Sequence, residues 1–258
     1  LSGAPFMDRT ERFDRTTCHL PEAKLEIWEG WVFVNLDPDA EPLGPRLEPL
    51  RRVIEPYRLS EAVTVEPLVY ESPWNWKVMV ENFSESYHHT GIHSSSLQPI
   101  VPGGGTYAED SHGPYLLLRN PAKEGAKLLS GLPVIEGLPD ALHREFLVAV
   151  AFPTHLLALF ADQCNWFQME IDSFDHFRLK IHLLVPPATL DDPENKPAIE
   201  NLRAAIDAIN QEDIVANQGV WRGLRAPRAE PGRYSHLEKA LWQFNQYLLD
   251  RVYGVAGS

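Results

Sequence analysis

The sequence has few cysteines and few basic residues. Cys18 and Cys164 are the only cysteines, stand in no metal-binding spacing and are too few for a disulfide framework. Lysine and arginine total 23 against 36 acidic residues, so the formal net charge is -13. Such a charge repels nucleic-acid backbones and anionic membrane surfaces. We therefore expect a cytoplasmic protein that binds neither nucleic acid nor membrane.

The sequence also lacks a secretory leader and an apolar run long enough to span a membrane. It begins at Leu1, without a methionine, and continues directly as LSGAPFMDRTERFD, so we expect a fragment of a longer protein. Hydrophobic residues make up 44% of the 258 residues. That is enough for one large domain, or a domain and a half, with a closed core.

Helical and strand patterns alternate along the chain in an order that is typical of an α+β fold. Residues 24–36 predict a hairpin that turns at Glu29-Gly30, and the proline-rich segment 37–45 predicts a domain edge. The remaining patterns predict helices at 47–57, at 140–145, 193–221 and 237–253, and within 74–93, where the helix would stop near Gly91. They predict strands at 63–72, 114–119, 146–152, 155–160, 165–173 and 177–185.

The last two predicted strands are joined by a tight turn at residues 174–176, which makes them antiparallel neighbours. We therefore expect an antiparallel sheet with long helices packed on one face. A pocket between such a sheet and a long helix is the natural place for a ligand.

The most unusual stretch is 74–93, which reads WNWKVMVENFSESYHHTGIH. Trp76, Val80, Phe83 and Tyr87 recur at three- and four-residue steps. A continuous helix would bury these four side chains along one stripe.

Acids and imidazoles occupy the other flank of the same predicted helix. Glu81, Glu85 and His88 follow at i, i+4 and i+7, which predicts that they share one face. Glu85 could then accept a hydrogen bond from the ring of His88. Gly91 favours the end of the helix soon afterwards, and the chain would bring His93 back towards His88.

Two histidines and a distant acid are the parts of a 2-His-1-carboxylate site, which leaves open positions on a non-heme Fe(II). His88 and His93 would supply the imidazoles. Asp213 is the candidate carboxylate, because an acid on an otherwise apolar helix face needs a partner or a metal. The alternatives stay open: Asp213 as a solvated helix charge, and the histidines as ordinary polar residues at a helix end.

Other metal sites fit the pattern less well. The His-Glu-x-x-His motif of zinc hydrolases is absent from the sequence. A di-iron bundle needs two Glu-x-x-His segments on helices, and the second candidate, Glu109 to His112, lies in a glycine-rich loop. A single iron therefore fits the sequence better than a catalytic zinc or a di-iron centre.

Five aromatic residues admit two interpretations: a cage for a cationic or aromatic ligand, or ordinary core. Their positions in predicted strands and on apolar helix faces favour the core. They are Trp74, Trp76, Trp166, Phe167 and Trp221.

Three blocks of the sequence resemble the α subunits of Rieske-type non-heme iron oxygenases. Segment 74–93 is similar to their catalytic signature, which runs Asn-Trp-Lys, Glu-Asn-Phe, acid-x-Tyr-His and a further histidine. Segment 24–43 resembles the end of the Rieske domain, and segment 211–224 resembles the late helix that carries the carboxylate ligand. The blocks occur in the order found in the family.

The resemblance implies a helix-grip, START-like catalytic domain at 46–258, preceded by the C-terminal remnant of a Rieske domain at 1–45. It implies that His88, His93 and Asp213 bind the iron and that Asn82 lies beside the metal. It further implies that Glu85 links the iron site to a cluster histidine of a neighbouring subunit. His89 points about 100° away from His88 on a helix and is expected not to ligate.

The resemblance also implies the cofactors. A mononuclear Fe(II) would be bound here, whereas a two-iron two-sulfur cluster needs Cys-x-His and Cys-x-x-His pairs. Those pairs are absent, and Cys18-His19 has the wrong spacing. We therefore expect the cluster only in a part that precedes Leu1, and we expect the fragment alone to be inactive.

The implied activity is hydroxylation or cis-dihydroxylation of an organic substrate, of the aromatic-ring or quaternary-amine type, with O₂. Electrons would come from NAD(P)H through a reductase, with or without a ferredoxin. The implied assembly is a homotrimer, with or without β subunits. Two alternatives remain: a binding module for hydrophobic ligands with no enzymatic activity, and an inactive member of the family.

Overall fold

The structure is a computed structural model that describes residues 1–254. Its helices are α1 (Leu43–Ile54), α2 (Trp76–Phe83), α3 (Pro187–Asp191), α4 (Lys196–Leu224) and α5 (Lys239–Tyr253). Its strands are β1 (Lys24–Trp28), β2 (Trp31–Asn35), β3 (Val63–Thr64), β4 (Leu68–Ser72), β5 (Tyr107–Ala108), β6 (Tyr115–Pro121), β7 (Glu145–Ala151), β8 (His155–Leu159), β9 (Cys164–Ser173) and β10 (His176–Val185).

The strands form two antiparallel sheets. Strands β1 and β2 pair only with each other, in a hairpin that places Trp28 opposite Trp31. The other eight form one sheet in the order β3-β10-β9-β8-β7-β6-β5, and β4 also pairs with β10. The predicted α+β fold with an antiparallel sheet is confirmed.

The centre of the large sheet is buried on both faces, because its side chains alternate between two cores. Val148 of β7 packs on the same side as Val80 of α2 and Phe244 of α5. Its neighbour Ala149 packs on the opposite side with Leu47 of α1. Helix α4 lies on the first face as well, where it packs against β10. The two long helices therefore share one face, and α1 covers part of the other.

The β1–β2 hairpin contacts the core that contains α1. Trp28 is buried there, and Phe33 packs against the same cluster. The outer face of the hairpin exposes four aliphatic side chains: Leu25, Ile27, Val32 and Val34.

The division of the chain into two domains at residue 45 stays a prediction. Residues 255–258 of the predicted catalytic domain lie outside the described residues.

The prediction of one continuous helix through His88 to about Gly91 is wrong. Helix α2 ends at Phe83, and a separate 3-10 helix covers Tyr87–Thr90. Ser84 follows α2 with its hydroxyl bonded to the carbonyl oxygen of Val80, 2.6 Å away, a local bond that competes with helix continuation. Tyr87 is consequently 51% exposed and does not belong to the buried stripe.

Other predicted elements fall near those observed, with a few differences. Helix α1 begins earlier than the predicted 47–57, and the predicted strand 63–72 is divided into β3 and β4. The short elements β5 and α3 have no counterpart among the predictions. Within residues 1–254, no helix has the combination of length and hydrophobicity that crossing a membrane requires.

Candidate metal centre

Helix α2 is fixed at its start by Asn75. The side-chain oxygen of Asn75 accepts a hydrogen bond from the backbone N–H of Lys77 at 3.0 Å, which caps the helix. The side-chain nitrogen of Asn75 donates to the carbonyl oxygen of Phe174, 2.6 Å away at the β9–β10 turn. Val80 is fully buried against the sheet. The helix therefore has one defined position over the sheet.

The segment after α2 is held by contacts with distant parts of the chain. The hydroxyl of Ser86 donates to Oδ1 of Asn120 in β6, at 2.6 Å. His89 is buried, and its Nδ1 lies 3.0 Å from the carbonyl oxygen of Val101. Burial lowers the pKa of His89 to about 4, which keeps its ring neutral. These contacts fix the loop that carries His88.

The structure brings together His88, His93 and Asp213, the three predicted ligands. One donor atom from each lies within 4.8 Å of the other two. Oδ1 of Asp213 is 3.1 Å from Nε2 of His93 and 3.6 Å from Nε2 of His88. The three residues come from a loop after α2 and from the middle of α4, which confirms that early and late segments meet at one point.

Each imidazole has a carboxylate behind it. Oε1 of Glu85 lies 2.6 Å from Nδ1 of His88, and the other oxygen of Glu85 accepts the backbone N–H of His88 at 3.1 Å. Oε2 of Glu212 lies 2.6 Å from Nδ1 of His93 and also accepts from the hydroxyl of Ser96 at 2.6 Å. Since Nδ1 of each ring is engaged, the Nε2 atoms are free to present lone pairs to a metal.

The charges around His93 affect its protonation. Burial disfavours the charged ring, but the hydrogen bonds and charges of Asp213 and Glu212 outweigh burial and raise the pKa of His93. Hydrogen bonds from His93 and Ser96 lower the pKa of Glu212. The carboxylates therefore stabilise positive charge at this point, as a site for a cation requires.

The other acid and amide of the signature lie in different places. Nδ2 of Asn82 donates to Oδ1 of Asp213 at 3.1 Å, so Asn82 lies beside the three predicted ligands. Glu81 instead faces α5, where Nδ2 of Asn245 lies 3.2 Å from its carboxylate. The prediction that Glu81, Glu85 and His88 share one helix face is therefore wrong, because the helix ends between Glu81 and Glu85.

The donor set fits an octahedral ion. Neighbouring ligand atoms at about 2.1 Å from such an ion lie about 3 Å apart, which is close to the separations of Asp213 from His88 and His93. Two imidazole nitrogens and one carboxylate oxygen on one side of an ion would leave its opposite side open, as in a non-heme iron site. All three residues line one open cavity.

This cavity has a volume of about 330 Å³ between the sheet, α2 and α4. His88, His93 and Asp213 contribute to its wall, which is otherwise largely apolar. Its aromatic lining comes from four phenylalanines: Phe83, Phe146, Phe160 and Phe167.

The five aromatic residues considered for a cage do not enclose the cavity, since Phe167 alone among them lines it. The structure supports the core interpretation. The other four pack elsewhere: Trp74 against Phe177, Trp76 against Phe244, Trp166 against His182 and Trp221 against Phe174.

Glu212 is the site residue that sequence reasoning missed. It directly precedes Asp213 in the segment QEDIV, so the sequence did show a second acid next to the predicted carboxylate ligand. Adjacent helix residues point about 100° apart, so the pattern alone gave no reason to direct both acids towards the same site. His93 lies between Glu212 and Asp213, so each of these carboxylates contacts one nitrogen of its ring.

Comparison with known proteins finds relatives that are longer than this chain. The carnitine monooxygenase oxygenase subunit of Acinetobacter pittii is 33% identical over 88 residues, which are 31% of this chain and 22% of that protein. The glycine betaine monooxygenase oxygenase subunit of Pseudomonas aeruginosa is 29% identical over 90 residues, 34% of this chain and 21% of that protein. The aligned segments thus span less than a quarter of either relative.

Solved structures share the fold. The quaternary ammonium Rieske monooxygenase CntA, in complex with L-carnitine, has a TM-score of 0.70 at 19% identity over 96% of this chain and 66% of that chain. Naphthalene 1,2-dioxygenase from Rhodococcus sp., bound to indole, has a TM-score of 0.71 at 17% identity over 97% of this chain and 71% of that chain.

The family described as ring hydroxylating alpha subunit (catalytic domain) matches residues 59–254. The match spans most of the chain and includes the large sheet, α2, α4 and all three predicted ligands. The chain therefore belongs to the ring hydroxylating alpha subunit family, of which it carries the catalytic domain.

Proposed function

We propose that this chain is the catalytic part of a Rieske-type oxygenase and binds one Fe(II) through His88, His93 and Asp213. The observation that carries the proposal is the approach of both Nε2 atoms to one oxygen of Asp213 at the wall of an apolar cavity. When bound, the iron would supply the redox chemistry that activates O₂.

The chain's own residues prepare the site for that chemistry. Glu85 and Glu212 orient the two imidazoles through their Nδ1 atoms, and Asn82 holds the carboxylate of Asp213. The apolar cavity positions an organic substrate beside the three ligands and excludes bulk water from it.

The proposed reaction is a hydroxylation or a cis-dihydroxylation. A monooxygenation consumes the substrate, O₂, two electrons and two protons, and yields the hydroxylated product and water. A cis-dihydroxylation consumes the same two electrons and two protons and transfers both oxygen atoms to the substrate, which becomes the diol. We propose NAD(P)H as the electron source, through a reductase and a two-iron two-sulfur cluster held outside this chain's residues.

Glu85 is proposed to connect the iron site to that cluster in a neighbouring subunit of a trimer. Its carboxylate contacts the ring and the backbone of His88, and its side chain is 10% exposed. Each carboxylate oxygen has two lone pairs, so Glu85 keeps acceptor capacity for a second imidazole beside its contacts with His88.

The test is the iron content of the protein after anaerobic reconstitution with Fe(II). We expect about one iron per chain for the parent and almost none for His88→Ala, His93→Ala or Asp213→Ala. His112→Ala, at an exposed histidine outside the site, is the matched control and should bind as much iron as the parent.

Equal iron content in His88→Ala and the parent would exclude the proposed ligand set and favour a metal-free binding module of the same fold. Iron binding without oxygen consumption, measured on the full-length gene product with its reductase, would instead identify an inactive family member.

A further inference from the structure

His89 lies on the wall of the cavity, directly beside the two predicted histidine ligands. The centroid of its ring is 5.2 Å from that of His88 and 5.5 Å from that of His93. All three residues line the same cavity. The cluster of side chains in residues 1–254 that can hold a metal nevertheless contains His88, His93 and Asp213, and not His89. His89 is therefore a third imidazole at the metal site that does not ligate.

A contact with Val101 fixes which ring nitrogen of His89 carries the proton. Nδ1 of His89 lies 3.0 Å from the carbonyl oxygen of Val101. A carbonyl oxygen can only accept, so Nδ1 carries the proton and donates it. In the neutral ring the other nitrogen, Nε2, then has a free lone pair and is a hydrogen-bond acceptor.

Nε2 of His89 opens onto the cavity. Nε2 of His155 is sealed inside the protein without a hydrogen bond, whereas Nε2 of His89 does not belong to the sealed atoms of the described residues. Within residues 1–254, the ring of His89 makes its hydrogen bond through Nδ1 alone. Nε2 is therefore accessible. Since His89 is only 3% exposed in total and lines the cavity, the space that reaches this nitrogen is the cavity.

The two carboxylates beside the metal ligands already have partners. Glu85 contacts the ring and the backbone of His88. Asp213 contacts His93 and accepts a hydrogen bond from Asn82. Nε2 of His89 is therefore the acceptor at this end of the cavity that is left for a ligand.

We infer that Nε2 of His89 accepts a hydrogen bond from the substrate, which is an organic molecule with an apolar body and a hydroxyl or N–H group near the carbon that reacts. The inference names the substrate class of the proposed function and rests on it. A donor bound to His89 fixes the orientation of the substrate relative to the metal ligands. A site that bonds such a group also discriminates against the analogue that lacks it.

Two substitutions separate recognition of a ligand from the structural bond to Val101. Asparagine places an N–H group the same number of bonds from Cα as Nδ1, so His89→Asn keeps the bond to Val101 and removes the acceptor. Glutamine places an oxygen the same number of bonds from Cα as Nε2, so His89→Gln keeps an acceptor that can reach the cavity.

The test compares phenol with toluene, in which a methyl group replaces the hydroxyl. Calorimetric titration is done with one equivalent of Zn²⁺ in place of iron, because imidazole and carboxylate ligands also bind Zn²⁺. Transfer from water favours the more apolar toluene in every variant, so the informative quantity is the affinity for phenol relative to that for toluene.

This relative affinity should fall about fivefold in His89→Asn, as expected for one hydrogen bond. It should stay within about twofold of the parent in His89→Gln. The control is His143→Asn, since His143 also bonds a backbone carbonyl through its ring but lies outside the cavity lining, and its relative affinity should equal that of the parent. An unchanged value in His89→Asn, or an equal fall in His89→Asn and His89→Gln, would overturn the inference.

A second measurement needs no substitution. In the parent protein, saturating phenol should shift the nitrogen-15 resonance of Nε2 of His89, because a hydrogen bond engages the lone pair of that nitrogen. Toluene should leave the resonance in place. No shift with phenol would also overturn the inference.

The two proposals fail separately. Iron content tests the metal site and should be the same in His89→Asn and the parent, since His89 is outside the ligand cluster. Loss of iron in His89→Asn would make His89 part of the metal site and would contradict its role as a substrate acceptor. The comparison of phenol with toluene uses no iron, so it stays readable if the parent binds none.

Discussion

Oε2 of Glu212 lies 2.6 Å from Nδ1 of His93, and this contact links α4 to the loop after α2 a second time, next to Asp213. A carboxylate at that distance fixes the ring's orientation and makes Nε2 a better electron donor. Glu212 is therefore expected to support the metal site without ligating.

Glu212→Gln should reduce the affinity for Fe(II) by about 10–100-fold, because the amide keeps the size of the side chain but loses its charge. Competition against a chelator measures the affinity. Glu200→Gln, an exposed acid on the same helix, is the control and should bind iron as the parent does. Unchanged affinity in Glu212→Gln would show that the ring of His93 is positioned by other contacts.

Gly103→Ala should destabilise the protein by about 1–3 kcal/mol, since the new Cβ would overlap the carbonyl oxygen of Ser86. Ser86 lies two residues before His88, so iron affinity should also fall. Gly104→Ala is the control, because a Cβ there meets nothing within 4 Å. Urea unfolding and iron titration of both variants check the expectation, and similar results for the two would contradict it.

Phe244→Ala should cost about 3–5 kcal/mol of unfolding free energy, because this side chain of α5 is fully buried against the sheet. Trp242→Ala on the same helix should change stability by no more than about 0.5 kcal/mol, since Trp242 is 48% exposed. Chemical denaturation measures both. A small cost for Phe244→Ala would mean that α5 does not cover the sheet as described.

Stability should fall on acidification because of His155. Burial among Trp28, Trp31 and Phe33 lowers the pKa of His155 to about 3, whereas the unfolded chain has a pKa near 6.5. Between these values the unfolded chain binds a proton that the folded chain does not. The contribution of this residue therefore favours unfolding by about 2 kcal/mol more at pH 5 than at pH 7.

His155→Phe checks that sign, because the variant keeps the aromatic packing and removes the titration. Urea unfolding at pH 7 and pH 5 should show a smaller loss in the variant than in the parent. The same loss in both proteins would mean that other groups cause the acid sensitivity.

The sheet could be predicted because alternating side chains indicate its strands. The histidine spacing and an acid on a late helix suggested a metal site, and the family resemblance selected His88, His93 and Asp213, which the structure brings together. The course of the chain after α2 could not be predicted, because it depends on contacts that are distant in sequence. Ser86 bonds to Asn120 of β6, and Gly103 packs against the same segment.

The sequence pattern also could not show which amide side chains line the cavity. Asn165 looks like any polar residue of an alternating strand until the structure shows that its face is covered by α4 and the cavity. The direction of Glu212 likewise depends on where the loop places His93.

The two-sided burial of β7 has a consequence for how this protein can evolve. Val148 faces the cavity, while its neighbour Ala149 faces the core beneath α1. Phe146 and Val148 of β7 line the cavity and can therefore change to suit a new compound, while Leu147 and Ala149 between and after them preserve the fold. Selection can therefore change which compounds fit the cavity through single substitutions that leave the packing beneath α1 intact.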